Sequence, residues 1–282
     1  MTNRAVVDAA RELLHIARYT PPPALIGFLG VLLATGIASA QVLPTGSTVA
    51  GKTIGEWGAE FWNYVLSHPA AIPPLGDDPL TDLTGDHQGD GQSGPVWFMC
   101  PVAGPAFGTP VTRTFSVPAN THILVPLITN AGIPDLGEDP NDLCDGVNSF
   151  VDGVDGLFFS LDGVEILSEA ELFTHREPSP RFVPITVGPD NIFGLNEGTW
   201  DESCSDGYFL MLEPLPPGPH QITCGGIHSG VDLLIDVTND INIAAVVPTL
   251  APFAAIALGI SLGGAGTFFL RKKKKDQSDA NE

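Results

Sequence analysis

The sequence predicts a mainly β chain: an antiparallel two-sheet β-sandwich, jelly-roll-like, with one helix on its N-terminal side and a transmembrane helix at its C-terminal end. Three observations predict it. From Pro95 onward, short runs rich in β-branched and aromatic residues recur between Pro, Gly and Asn turns. A single segment with helical spacing lies ahead of them, and an unbroken apolar stretch near the end runs into a basic cluster.

The first forty residues carry Arg4, Arg11 and Arg18, then an apolar core from Ala24 to Ile37 that ends in Ala38-Ser39-Ala40. This is the plan of a secretory signal peptide over residues 1–40, cleaved before Gln41. An uncleaved anchor is the alternative, because residues 5–17 have amphipathic spacing. The outer domain is then expected over residues 41–246, a size that suits one domain with a full core.

The helix is expected over residues 53–67. Trp57, Phe61, Tyr64 and Val65 fall at i, i+4, i+7 and i+8, on one face. Such a face either docks on a core or stacks against sugar rings, which makes Trp57 and Trp62 candidate glycan-stacking residues. The Pro-, Gly- and Asp-rich stretch over residues 69–94 has no period and reads as loop. Strands are expected over residues 96–99, 111–117, 122–128, 156–161, 181–187, 208–214, 220–224 and 231–243. Pro118-Ala119-Asn120 and Pro216-Pro217-Gly218-Pro219 each separate two of them as turns. No internal repeat of 20 to 50 residues is present.

Eighteen residues from Phe253 to Leu270 contain nothing ionisable. As a helix they extend about 27 Å, close to the thickness of a bilayer core. The cluster from Arg271 to Lys275 follows at once and keeps the C-terminal side cytoplasmic, which leaves the domain before it outside. Residues 247–275 are thus an anchor or a sorting signal, and residues 276–282 a polar tail.

Charge follows the same division. Of 12 basic residues, three lie in the leader and five in the terminal cluster. The outer domain keeps four, Lys52, Arg113, Arg176 and Arg181, against 28 acidic residues. An excess of 24 negative charges repels phosphate backbones and excludes nucleic acid as a partner. It favours cations, or solubility in a salty medium. Cys100, Cys144, Cys204 and Cys224 all lie in the exported part, an even count that points to two disulfides. Three pairings are open, and the shorter loops favour Cys100 with Cys144 and Cys204 with Cys224.

Several stretches resemble a family of uncharacterised exported bacterial proteins. They are the segment from Gly55 to Tyr64, the segment Gly91-Gln92-Ser93-Gly94-Pro95-Val96-Trp97-Phe98, and Val111-Thr112-Arg113-Thr114 through Val117-Pro118-Ala119. Asp206-Gly207-Tyr208-Phe209-Leu210-Met211-Leu212 and the segment from Leu215 to Ile222 complete the likeness. It implies kinship over most of the outer domain and brings no activity with it. The tail resembles the PEP-CTERM and IPTL-CTERM sorting signals, with Pro248, Thr249 and Leu250 as motif, then the helix, then the basic cluster. That resemblance implies an exosortase-type membrane protease as partner and release to the surface. A plain stop-transfer anchor accounts for the same residues.

Specific chemistry is sparsely signalled. Two acid-rich loops, with Asp86 and Asp90 in one and Asp139, Asp142 and Asp145 in the other, supply the hard oxygens that calcium takes. Neither has the spacing of an EF-hand loop, so solvated acids are the competing explanation and calcium the only cofactor considered. No G-x-S-x-G occurs, and no pair of histidines has H-E-x-x-H spacing. His220 and His228 bracket Gly225-Gly226 and could converge across a turn there. These features favour a non-enzymatic envelope or extracellular-matrix protein that takes a glycan or calcium. A secreted polysaccharide hydrolase is the alternative, since its acid pair is set by distance in space.

Overall fold

The computed structural model describes residues 41–69, 78–99, 101–103, 107–135 and 137–245. The leader, Cys100, the motif Pro248, Thr249 and Leu250, and the apolar stretch after it lie outside the described residues. Among the described residues no helix is long and apolar enough to cross a membrane.

The chain is mainly β. A small hairpin, β1 (Thr48–Val49) and β2 (Lys52–Thr53), opens it. Ala50 and Gly51 both have positive φ, as a two-residue hairpin turn requires. The hairpin delivers the chain into α1 (Ile54–Ser67). Thr53 caps this helix by accepting from the Glu56 N–H at 3.2 Å, and Glu56 returns the favour by accepting from the Thr53 N–H at 2.7 Å. Those donors hold the Glu56 carboxyl below its ordinary pKa.

Two four-stranded sheets follow. The outer sheet has the order β4 (Val111–Val117), β10 (Leu233–Ile243), β9 (Gly218–His228), β6 (Gly156–Leu161). The central sheet has the order β3 (Val96–Phe98), β5 (His122–Gly132), β8 (Gly198–Leu212), β7 (Val183–Val187). Between them one core joins Val125 and Leu210 of the central sheet to Phe159, Ile222 and Val237 of the outer sheet. A second core, with Leu124, Phe209 and Met211, lies on the other face of the central sheet beneath α1. The central sheet is therefore covered on both faces, and β5 from Ile123 to Ile128 and β8 from Tyr208 to Leu212 accordingly read as continuous apolar runs. Gly58 permits the close approach of α1, since a Cβ there would lie 2.9 Å from the Phe209 ring.

The ladders differ from the all-antiparallel expectation in two places: β4 pairs parallel to β10, and β3 parallel to β5. The reason lies in the two Pro-rich turns. β4 and β5 belong to different sheets, as do β8 and β9, so each turn arches from one sheet to the other instead of closing a hairpin. Pro118, Pro216 and Pro217 deny the turns the backbone donors and φ values of a tight hairpin. Pro126 sits inside β5, where the register with β8 shifts between Pro126 and Ile128, a bulge that accommodates its missing donor.

Two further helices were not legible in the sequence: α2 (Pro140–Asp152) and the single turn α3 (Glu169–Leu172). Asp139 caps α2 by accepting from the Asn141 N–H at 2.8 Å. Arg176 then ties the segment before β7 to both neighbours. Its Nε and Nη2 donate to Asp206 at 2.9 and 2.6 Å, and it also bonds Asp152 and the Asn148 carbonyl of α2. The hydrogen bonds to Asp206, which is 1% exposed, hold the guanidinium charged and raise its pKa.

The favoured cysteine pairing is corrected. Cys144 on α2 is bonded to Cys204 on β8, with Cα atoms 5.9 Å apart. Loop length misleads here because α2 packs across β8, which brings together residues 60 apart in sequence. Cys224 is a buried thiol on β9, and burial pushes its pKa up to about 12. Replacing Cys144 and Cys204 together with Ser is expected to cost about 2 to 4 kcal/mol, the typical contribution of a disulfide. Urea denaturation of the wild type and the double variant checks it, and an unchanged midpoint would show that α2 is held by packing and Arg176 alone.

Candidate functional site

Trp57 and Trp62, the two candidate stacking residues, have separate fates. Both are 9% exposed. Trp57 donates through Nε1 to the Val49 carbonyl at 2.9 Å and packs against Phe98, with Lys52 over its ring. It fastens the first hairpin to α1 and belongs to the core. Trp62 lies one turn further on, with its ring on a cleft and its Nε1 donating to the Thr129 hydroxyl at 3.2 Å. That hydroxyl donates in turn to the Asp206 carbonyl at 2.9 Å, which fixes the indole against β5 and β8.

The cleft forms where α1, the far end of β5, α2 and the link between β9 and β10 meet. It has two adjoining chambers that share Trp62, Asn130 and Phe193. The first, about 280 Å³, is walled by Phe107, Phe150, Val231 and Leu233, with Asp232 at its edge. The second, about 260 Å³, is lined by Leu66, Ile133 and Leu195 and carries the carboxylates of Asp135 and Glu138.

Three apolar residues on this cleft are strongly exposed: Phe107 at 44%, Phe193 at 48% and Val231 at 55%. Phe193 is held there by the buried Asn191. The Asn191 side chain donates to the carbonyls of Gly188 and Leu195 at 3.2 and 2.7 Å and accepts from the Leu195 N–H at 3.0 Å. The loop is thus stapled from inside, and Phe193 is presented 6.1 Å from Trp62, ring centre to ring centre. Asp135 braces the same loop by accepting from the Asn196 N–H at 3.1 Å.

The five candidate calcium ligands do not come together. Among the described residues no group of three or more His, Cys, Asp or Glu side chains is arranged to hold a metal ion. Asp86 and Asp90 are exposed in the loop before β3, where Asp90 faces Nδ1 of His87 at 2.9 Å. Their neighbour Asp82 is spent on the backbone. It accepts from the N–H groups of Thr84, Gly85 and His87 at 2.9 to 3.0 Å, and although burial opposes it, these donors hold its pKa below the ordinary value. In the other loop Asp139 is a helix cap and Asp145 pairs with Arg181 at 2.9 Å. Asp142 is exposed in the first turn of the same helix.

His220 and His228 do not converge either. Gly225-Gly226 lies inside β9, where a Cβ on Gly226 would meet the Gly156 carbonyl at 2.7 Å. The two histidines stand at opposite ends of that strand, His220 against Asp162 and His228 against the Phe150 carbonyl, each at 2.9 Å.

The sequence reading missed Phe107, Phe193, Asn130 and Asp135 as site residues. Phe193 had one visible signal: an isolated aromatic inside a Gly-, Asn- and Asp-rich loop, which a core does not need. Searches of protein-family models, curated proteins and solved structures give no match to the chain.

One buried carboxylate stands apart from the cleft. Asp78 is fully buried, its Oδ1 accepts from the Leu80 N–H at 2.7 Å, and its Oδ2 has no hydrogen-bond partner among the described residues. Burial lifts its pKa from 3.8 to about 6, against the opposing pull of the Leu80 N–H, His68 and Arg113. A carboxyl with a raised folded pKa stabilises the fold while it is protonated. That contribution is complete below about pH 4 and is lost as pH rises through 6. Asp78→Asn is therefore expected to stabilise the protein by about 1 to 3 kcal/mol at neutral pH and by much less near pH 4. Thermal melts of both forms across that range check it, and a pH-independent difference would refute it.

Proposed function

We propose that the chain is a non-enzymatic protein of the bacterial envelope or extracellular matrix whose β-domain binds glycan in the cleft of Trp62 and Phe193. The reading takes residues 1–40 as its export signal. It takes the stretch from Phe253 to Leu270 as a membrane anchor, or as part of a sorting signal read at Pro248, Thr249 and Leu250 by an exosortase-type protease. The observation that carries the binding role is Phe193: a large aromatic ring left 48% exposed, at the tip of a loop that a buried Asn191 holds closed. Burying that ring would stabilise the domain, so its fixed exposure beside Trp62 points to an occupant that covers it. Flat apolar rings with a few polar groups at the edge suit the faces and hydroxyls of pyranose sugars.

A polysaccharide hydrolase is the second reading, because Asp135 and Glu138 line the same cleft. Glycoside hydrolysis requires one carboxyl shielded enough to stay protonated beside the leaving oxygen. Glu138 is exposed to solvent and Asp135 is engaged by the Asn196 N–H. Neither observation favours acid catalysis.

Phe193→Ala is expected to weaken polysaccharide binding by about tenfold, since a stacked ring contributes on the order of 1 kcal/mol beyond its area, while the melting temperature holds. Affinity electrophoresis against a polysaccharide panel, with thermal melts of the same samples, reads both. Release of reducing ends by the wild type, abolished in Asp135→Asn, would instead establish the hydrolase.

The tail has its own test. If it is a sorting signal, host cells convert the wild type to a form that lacks the residues from Phe253 onward, and Pro248→Ala with Thr249→Ala traps the full-length form in the membrane. Mass spectrometry of the C-terminal peptide decides it: wild-type protein that retains Glu282 in host membranes is a plain anchor.

A further inference from the structure

The cleft and the charges around it together limit what kind of glycan fits. Binding an anionic polysaccharide takes basic side chains free to meet its carboxylates or sulfates. The outer domain has four basic residues, and every one has a partner within the chain. Lys52 pairs with Glu60 beside Trp57. Arg113 is fully buried, with its guanidinium on the carbonyls of Pro101 and Leu80. Arg176 is bound to Asp206 and Asp152, and Arg181 to Asp145.

The cleft itself offers the opposite charge. Asp135 and Glu138 lie in the second chamber beside Trp62 and Phe193, and Asp232 lies at the edge of the first. Aromatic rings next to carboxylates are a receptive environment for an organic cation: the ring quadrupole and the carboxylate both attract it. The acidic excess of the whole domain adds a long-range field of the same sign.

We infer that the cleft takes an amino-sugar polymer with free ammonium groups, its pyranose faces on Phe193 and Trp62 and an ammonium at Asp135 and Glu138. The inference rests on the glycan reading of the cleft and goes further by assigning the charge of the ligand. A neutral sugar would meet the two carboxylates through hydroxyl hydrogen bonds alone, an ammonium-bearing one would add a charge pair, and an anionic one would be repelled by them. The N-acetylated polymer is the matched control, because acetylation removes the ammonium and keeps the ring. An enzyme class that removes N-acetyl groups from such a polymer would generate the ligand.

The test uses full-length protein in lipid nanodiscs. Calorimetry compares a hexamer of β-1,4-linked glucosamine with its fully N-acetylated counterpart at about pH 6, where such an amine is protonated. The glucosamine hexamer is expected to bind about tenfold tighter, a preference that shrinks as salt is raised. Asp135→Asn with Glu138→Gln should abolish the preference and leave the acetylated hexamer little affected, whereas Phe193→Ala should weaken both sugars. Equal or tighter binding of the acetylated hexamer would overturn the inference and leave the glycan reading standing. A preference that survives the double substitution would overturn it too, by moving recognition from the cleft to the general field of the domain. If neither hexamer binds, the glycan reading falls with it.

Discussion

The central sheet must bury both of its faces, and the rest of the structure depends on that requirement. β5 and β8 carry unbroken apolar runs, so neither face can be left to water without exposing several large side chains. The outer sheet covers one face and α1 the other. This explains why α1 begins on a two-residue hairpin with a capping box, why it carries Gly58 against Phe209, and why its aromatic side faces inward. The cleft is what remains where this covering ends. Trp62 and Leu66 of α1 and Asn130 of β5 line it, at the corner where α1, α2 and the start of β10 meet. The cleft is thus a by-product of a three-layer arrangement in which α1 is shorter than the sheet beneath it.

Much of this was legible in the residues. β4 and β6 have the predicted limits, and α1 lies where its aromatic spacing places it. Both are decided locally, by periodicity. The longer reach of β8, which begins ten residues before the expected start, was hidden because the segment from Gly198 to Gly207 is polar and acidic. Pairing with β7 and packing under α2, both tertiary effects, hold it extended. α2 was obscured for the converse reason: Pro140, Asn141, Asp142, Asp145 and Gly146 lower its helical propensity. Its stability comes from the Asp139 cap, the bond from Cys144 to Cys204, and Arg176. The parallel ladders follow from which sheet each strand joins, and no local pattern encodes that.

The candidate site was legible only in part, for the same physical reason. Trp57 and Trp62 are five residues apart on one helix, and nothing in their spacing says that one meets the Val49 carbonyl and the other a cleft. The acid-rich loops looked alike in composition, yet their carboxylates are divided among caps, amide nests and ion pairs. Composition gave the sign of the field around the domain, while the fold decided which acids remain available to a ligand. Asp135 and Glu138 flank Leu136-Gly137, and they matter to the cleft because the chain brings them beside Phe193.

The position of β10 has a mechanical consequence. The chain leaves the described domain just past Ile243, at the end of a strand that lies inside the outer sheet with a neighbour on either side. β10 is matched with β9 over eleven residue pairs and with β4 over seven. Tension entering through the residues after Ile243 would pull along this strand, across hydrogen bonds that run roughly perpendicular to the load. Bonds in that geometry are strained together and must fail together, whereas an edge strand pulled from its end would peel one pair at a time. A domain tethered by this end would resist extraction through shear in two ladders at once, so its lifetime under load would be set by the height of the unfolding barrier more than by its equilibrium stability.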